Sequence, residues 1–174
     1  MRLLARLEAA ALAATRALSG VGLLALMVLA AMTLADGLMR WLAGQPIQGV
    51  RDVGALAIAL AVSCCLPVGL MEKGNITIRL IDKWSPAAGR LLDLVAAILV
   101  LAVVAAMAWQ FWVHARNIAQ GGETTWVLRL PTAPFWYGVD AVLWCAALVQ
   151  LIVVALETAR LFGYEPERSD RVLI

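Results

Sequence analysis

Histidine occurs once in these 174 residues, as His114, and cysteine three times, as Cys64, Cys65 and Cys145. One imidazole cannot supply the paired ligands of a bis-histidine haem. The thiols fall inside apolar stretches with no CxxC spacing, so they read as small buried hydrophobes rather than a metal cage. There is no GxSxG, no HExxH and no glycine-rich phosphate loop, so no catalytic constellation and no cofactor are expected. Charge is scarce as well. Asp, Glu, Lys and Arg make up 15% of the chain and hydrophobic residues 63%, against the roughly 45–50% apolar share of soluble domains. A soluble domain is therefore excluded.

What the chain does have is long uncharged runs. Ala17–Ala35 and Val53–Met71 contain no charged residue, and two further apolar stretches lie near Leu94–Val113 and Phe135–Leu156. About 20 such residues cross the roughly 30 Å hydrocarbon core as a helix, and backbone groups in lipid must be satisfied within their own segment. The expectation is an all-α integral membrane protein of four transmembrane helices, spanning about 17–38, 53–71, 90–115 and 135–159. These form a single four-helix transmembrane domain over residues 1–163, followed by a tail at 164–174.

The opening "MRLLARLEAAALAATRALSG" starts like a signal peptide, but Arg16 interrupts it and the next apolar run is longer than a signal core. With Arg2, Arg6 and Arg16 on one side of a helix and Leu3, Leu4 and Leu7 on the other, it reads as an interfacial amphipathic lead-in to an uncleaved span. Ten basic residues flank the N-terminus, second loop and C-tail: Arg2, Arg6, Arg16, Lys73, Arg79, Lys83, Arg90, Arg160, Arg168 and Arg171. Only Arg40, Arg51, Arg116 and Arg129 occupy the first and third loops. That asymmetry predicts both termini in the cytoplasm (N-in/C-in), so the net charge of +2 reports topology and implies no nucleic acid.

The second loop, "MEKGNITIRLIDKWSPAAGR", places Ile76, Leu80 and Trp84 at four-residue spacing, predicting a short interfacial amphipathic helix. Ser85-Pro86 then reads as a cap and first helical residue. Pro67 and Gly69 predict a kink in the second span. Trp41, Trp84, Trp109, Trp112, Trp126 and Trp136 are expected as interfacial anchors among membrane lipids.

Polar residues within the spans are few. Asp140 is the clearest, and pairing with Arg116, Arg129 or a partner subunit is expected for it in preference to a proton relay. Gln110, Gln150 and Trp144 are candidate contacts between helices or with a larger subunit. Asp93 follows Arg90 at an i,i+3 spacing that suits an ion pair. The first three spans hold no acid or base at mid-membrane and no broken helix, which argues against a self-sufficient exporter and for a component that works with a separate translocation unit. The densest charge cluster is "DGLMRWLAGQPIQGVRD", residues 36–52. Its Asp36, Arg40, Gln48, Arg51 and Asp52, with Arg116, Glu123 and Arg129 of the third loop, form a candidate docking collar for a soluble partner. Local pairing that caps the helix ends is the competing reading, and the two can coexist.

The same stretch resembles the end of the first span in the small (DctQ-like) membrane subunits of tripartite ATP-independent periplasmic (TRAP) transporters, with Asp36, Arg40, Gly44, Pro46, Ile47 and Gly49 matching and Asp52 where the family more often has Glu. "EKGNITIRLID" matches the family's second loop, with Asn75 in place of a His and Arg79 near an expected acid. "GGETTWVLRLPTAPFWYGVD" matches the pattern before the last span. The resemblance runs from about Ala17 to Gly163. It implies a non-catalytic small permease subunit in the bacterial inner membrane. Its implied partners are a large multi-span permease subunit, which carries substrate and sodium by an elevator motion, and a soluble periplasmic substrate-binding protein. The implied process is symport of small organic acids. The remaining alternatives are an independent four-helix exporter acting as an oligomer and a membrane redox subunit.

Overall fold

The computed structural model describes residues 2–72 and 86–161. The helix expected over Ile76–Trp84, and with it Asn75, Arg79 and Trp84, lies outside the described residues, as does the tail at 164–174. Four helices carry the structure: α1 Arg2–Ala43, α2 Val50–Met71, α3 Pro86–Gly121 and α4 Ala133–Leu161. All four are long and apolar enough to cross a membrane. The chain is a multi-pass membrane protein.

The helices overrun the membrane thickness because nothing in the backbone obliges a helix to stop where lipid ends. α1 has 42 residues, about 63 Å at 1.5 Å per residue. The N-terminal lead-in is continuous with the first span rather than a separate element. Charges mark where the lipid-facing part lies. Arg16 pairs with Glu72 of α2 at 2.9 Å, and Arg40 pairs with Asp36 at 3.1 Å. The stretch from Arg16 to Arg40 rises about 36 Å, close to the hydrocarbon thickness. α3 opens at Pro86, whose ring already has a helical φ and whose missing N–H would have no partner in a first turn. α2 runs on through Pro67, which is fully buried. Arg90 and Asp93 are both exposed and form no ion pair among the described residues.

The order in space is α1, α2, α4, α3. Neighbouring helices touch in that sequence, α1 meets α4 only marginally, and among the described residues α1 and α3 do not meet. The domain is thus an open row and not a closed four-helix bundle. Small residues set the spacing, because lipid offers no hydrophobic drive and close backbone approach must supply the packing. Ala97, Val104, Ala108, Ala115 and Ile118 of α3 are buried, with Ala146 and Ala147 of α4 beside Val104. Gln150 of α4 donates from Nε2 to the Ala97 carbonyl at 3.0 Å in this seam. On the other side of the row, a Cβ at Gly22 would lie 2.7 Å from the Ala61 carbonyl oxygen. The outer helices leave broad apolar surfaces, including Leu24, Met27 and Leu34 on α1 and Leu99 and Val103 on α3.

Candidate docking surface

Both loops at one end of the row are built on glycine caps. α1 stops because Gly44 takes φ 67° and its N–H reaches back to the Arg40 carbonyl at 3.1 Å. α3 stops at Gly122, φ 63°, with Glu123 N–H on the Ile118 carbonyl. That is the six-residue reach of a Schellman motif. Beyond it, residues 123–132 close into a small hairpin. Thr124 and Pro131 form an antiparallel bridge, Thr125 N–H donates to the Leu130 carbonyl at 2.9 Å, and Leu130 N–H donates to Thr125 Oγ1 at 3.0 Å. The Thr132 N–H and hydroxyl both donate to the Glu123 carbonyl, which closes the base.

Two carboxylates fasten these loops. Asp36, half-buried, accepts the Ile47 N–H on Oδ1 at 2.6 Å and holds Arg40 with Oδ2, so the first loop folds back over the end of α1. Asp52, in the first turn of α2, accepts two N–H groups on Oδ2: Val127 at 2.8 Å and Leu128 at 3.0 Å. These charge-assisted bonds, together with the positive end of α2, complement its negative charge. Beside it, Gly49 has φ 90°, and the Leu128 side chain sits 2.6–2.9 Å from where a Cβ would be. Only glycine suits both the backbone angle and that contact.

The cluster that stands out in the sequence therefore divides by sign. Its acids face inward onto backbone amides. Gln48, Arg51, Arg116, Glu123 and Arg129 are exposed, and none of the three arginines or Glu123 forms an ion pair among the described residues. Arg129 lies at the hairpin tip with φ 52°, uncommon for a residue with a side chain. Comparison with known protein families matches residues 29–161 to the DctQ component of tripartite ATP-independent periplasmic transporters. The chain belongs to this DctQ family. It is a small permease subunit of a TRAP transporter. No curated protein and no solved structure matches it.

In this DctQ chain the same end carries the aromatics. His114 and Trp136 stack edge to face at 5.0 Å, Phe111 joins both rings, and Trp112 meets Tyr137 at 5.8 Å, so α3 and α4 are zipped where they emerge. Trp136 is thus a packing residue between helices. Trp41, Trp109 and Trp126 are exposed, the last at 97%. Asp140 is buried, and its Oδ1 has no hydrogen-bond partner among the described residues. Of the pairings expected for it, those with Arg116 and Arg129 are not made among the described residues. The reason is geometric: both arginines stand exposed on the loops and the last turns of α3, while Asp140 sits well inside α4, covered by packed helices. Gln150 bonds across helices, Gln110 is exposed with no such bond among the described residues, and Trp144 is half-exposed on α4 beside exposed Leu148 and Leu151. Leu128, Thr125 and Gly49 as a packing unit escaped sequence reasoning. Asp52 and the hairpin are 75 residues apart, and no local pattern announces such a contact.

Proposed function

We propose that the protein is a non-catalytic scaffold of a TRAP-type symporter in the bacterial inner membrane. It braces a large multi-span permease subunit and presents its two capped loops to a periplasmic substrate-binding protein, for uptake of small organic acids with sodium. The family match over residues 29–161 carries the reading. The open row supports it, since helices that leave this much apolar surface uncovered need lipid or another membrane protein against them. The exposed stripe of Trp144, Leu148 and Leu151 is a suitable contact for the large subunit. The unpaired arginines suit docking, where rim charge sets encounter rate and register more than affinity.

Reconstitution tests this. The chain alone in liposomes should not move solute, whereas chain, large subunit and binding protein together should drive sodium-dependent uptake of an organic acid. Full transport by the chain alone would defeat the scaffold reading. The reading also requires the two loops to be periplasmic and both termini cytoplasmic. With Cys64, Cys65 and Cys145 replaced, Gln48→Cys and Gln120→Cys should react with an impermeant maleimide added to whole spheroplasts. Reaction only after the membrane is opened would reverse the orientation.

A further inference from the structure

We propose that the hairpin tip Trp126–Arg129 is the anchor by which an acidic-faced soluble binding protein seats on this subunit, and that Asp52 is the positioning residue that holds the tip ready. This rests on the docking role given above and names the element that carries it. Trp126 is 97% exposed, and Val127 and Leu128 stand 55% and 43% exposed beside it. The apolar tip nevertheless has an ordered backbone. The Thr124–Pro131 bridge closes it, and Asp52 ties down Val127 and Leu128 from a different helix. The ordering that a flexible loop would undergo on binding is therefore already complete, which is how an interface gains affinity without extra area. Hot spots are most often such rigid aromatics, ringed by weaker polar contacts.

Lipid is the competing occupant. A tryptophan that only marks the headgroup level can project from a helix or its end, as Trp41 and Trp109 do. It needs neither a closed hairpin nor a carboxylate reaching over from α2. Arg129 adds to the case. Its φ of 52° is a conformation that side-chain-bearing residues adopt mainly where surrounding structure imposes it, often at functional positions. The sign of the partner follows from the charges left over. Arg51, Arg116 and Arg129 lack acid partners among the described residues, whereas of the acids beside them Asp52 is turned onto backbone amides and Glu123 is exposed. A complementary surface is acidic around an apolar recess.

The test uses the complete transporter in liposomes, with its binding protein titrated from limiting to excess. Trp126→Ala should raise the binding-protein concentration for half-maximal uptake roughly thirtyfold, as loss of a central aromatic anchor does, with the maximal rate unchanged. Asp52→Ala should raise it by a smaller factor and speed amide hydrogen exchange at Val127 and Leu128. Asp52→Asn, which keeps an acceptor oxygen, should restore much of both. An unchanged half-saturation in Trp126→Ala overturns the anchor. So does a spin label on Trp126→Cys that is relaxed by membrane-dissolved oxygen rather than by a water-soluble nickel chelate, because the tip would then be a lipid contact. Slow exchange persisting in Asp52→Ala overturns the latch. Charge reversal at Arg51 and Arg116 separates this idea from the broader one. If that reversal weakens docking while Trp126→Ala does not, the docking role stands and the anchor falls. If neither has an effect, the docking role itself falls.

Discussion

Replacing Gly22 with leucine is expected to part α1 from α2. A Cβ at this position would lie 2.7 Å from the Ala61 carbonyl oxygen and 2.9 Å from Cys64 Cβ, so the clash is with backbone and with the root of a side chain. Neither can rotate away. Overpacking of a core typically costs about 1–3 kcal/mol, and a collision with backbone belongs at the upper end or beyond. Even Gly22→Ala should destabilise, although alanine gains about 1 kcal/mol of helix propensity over glycine. The control is two residues away. Gly20 has nothing within 4 Å of its ideal Cβ, so Gly20→Ala should be neutral or stabilising. The measurement is the melting midpoint of the purified subunit in detergent. Equal midpoints for the two alanine variants would remove the close α1–α2 contact from the account. Gly49 provides a contrast, since the nearest atoms a Cβ there would meet belong to the Leu128 side chain rather than to backbone, and the positive φ adds its own constraint.

The second large effect is expected from Arg51→Glu combined with Arg116→Glu. Both guanidinium groups are exposed and unpaired among the described residues, so reversal disturbs no contact of the fold. Arg40 is a poorer choice, because it holds Asp36, which in turn holds Ile47. Reversing it would mix loop damage with docking. The double variant should co-purify normally with the large subunit, yet need roughly tenfold more binding protein for half-maximal uptake at low salt. Screening lengths fall from about 30 Å at 10 mM to about 3 Å at 1 M ionic strength, so the gap between variant and wild type should narrow as salt is added. Uptake equal to wild type at every binding-protein concentration and salt level would refute charge-guided docking. Failure to assemble would show instead that these arginines are structural.

Four membrane helices were legible in the sequence because lipid imposes a length and a composition that no local interaction can override. The glycine caps at Gly44 and Gly122 lie beyond the expected spans at about 17–38 and 90–115, because a helix need not stop where lipid ends. Lateral order was not legible. Every helix is apolar on most of its circumference, so amphipathic periodicity gives no sign that α4 lies between α2 and α3. Gly22 reads as any glycine in an alanine-rich run, and only the approach of Ala61 gives it a task. The charged first loop was visible at once as a cluster. Its division into inward acids and outward arginines depends on where two loops meet, and that is a property of the assembled row. For Asp140, charge complementarity suggested an arginine or a partner subunit, and its burial within α4 keeps it from Arg116 and Arg129.

The row also has a history written into it. α1 and α2 are neighbours in sequence and in space, and so are α3 and α4, whereas the two pairs meet only where α2 lies along α4 and, marginally, where α1 meets α4. Each pair can form as a helical hairpin from contacts local in the chain, which are the quickest to close. The α2–α4 seam then joins the two halves sideways within the bilayer. Asp52 crosses the same divide at the loop end, since it belongs to the first hairpin and grips the loop of the second. Its bonds can form only after the halves have docked. The arginine-rimmed tip is therefore fixed in place last, as a by-product of complete assembly, and a half-built subunit would present no such surface to a partner.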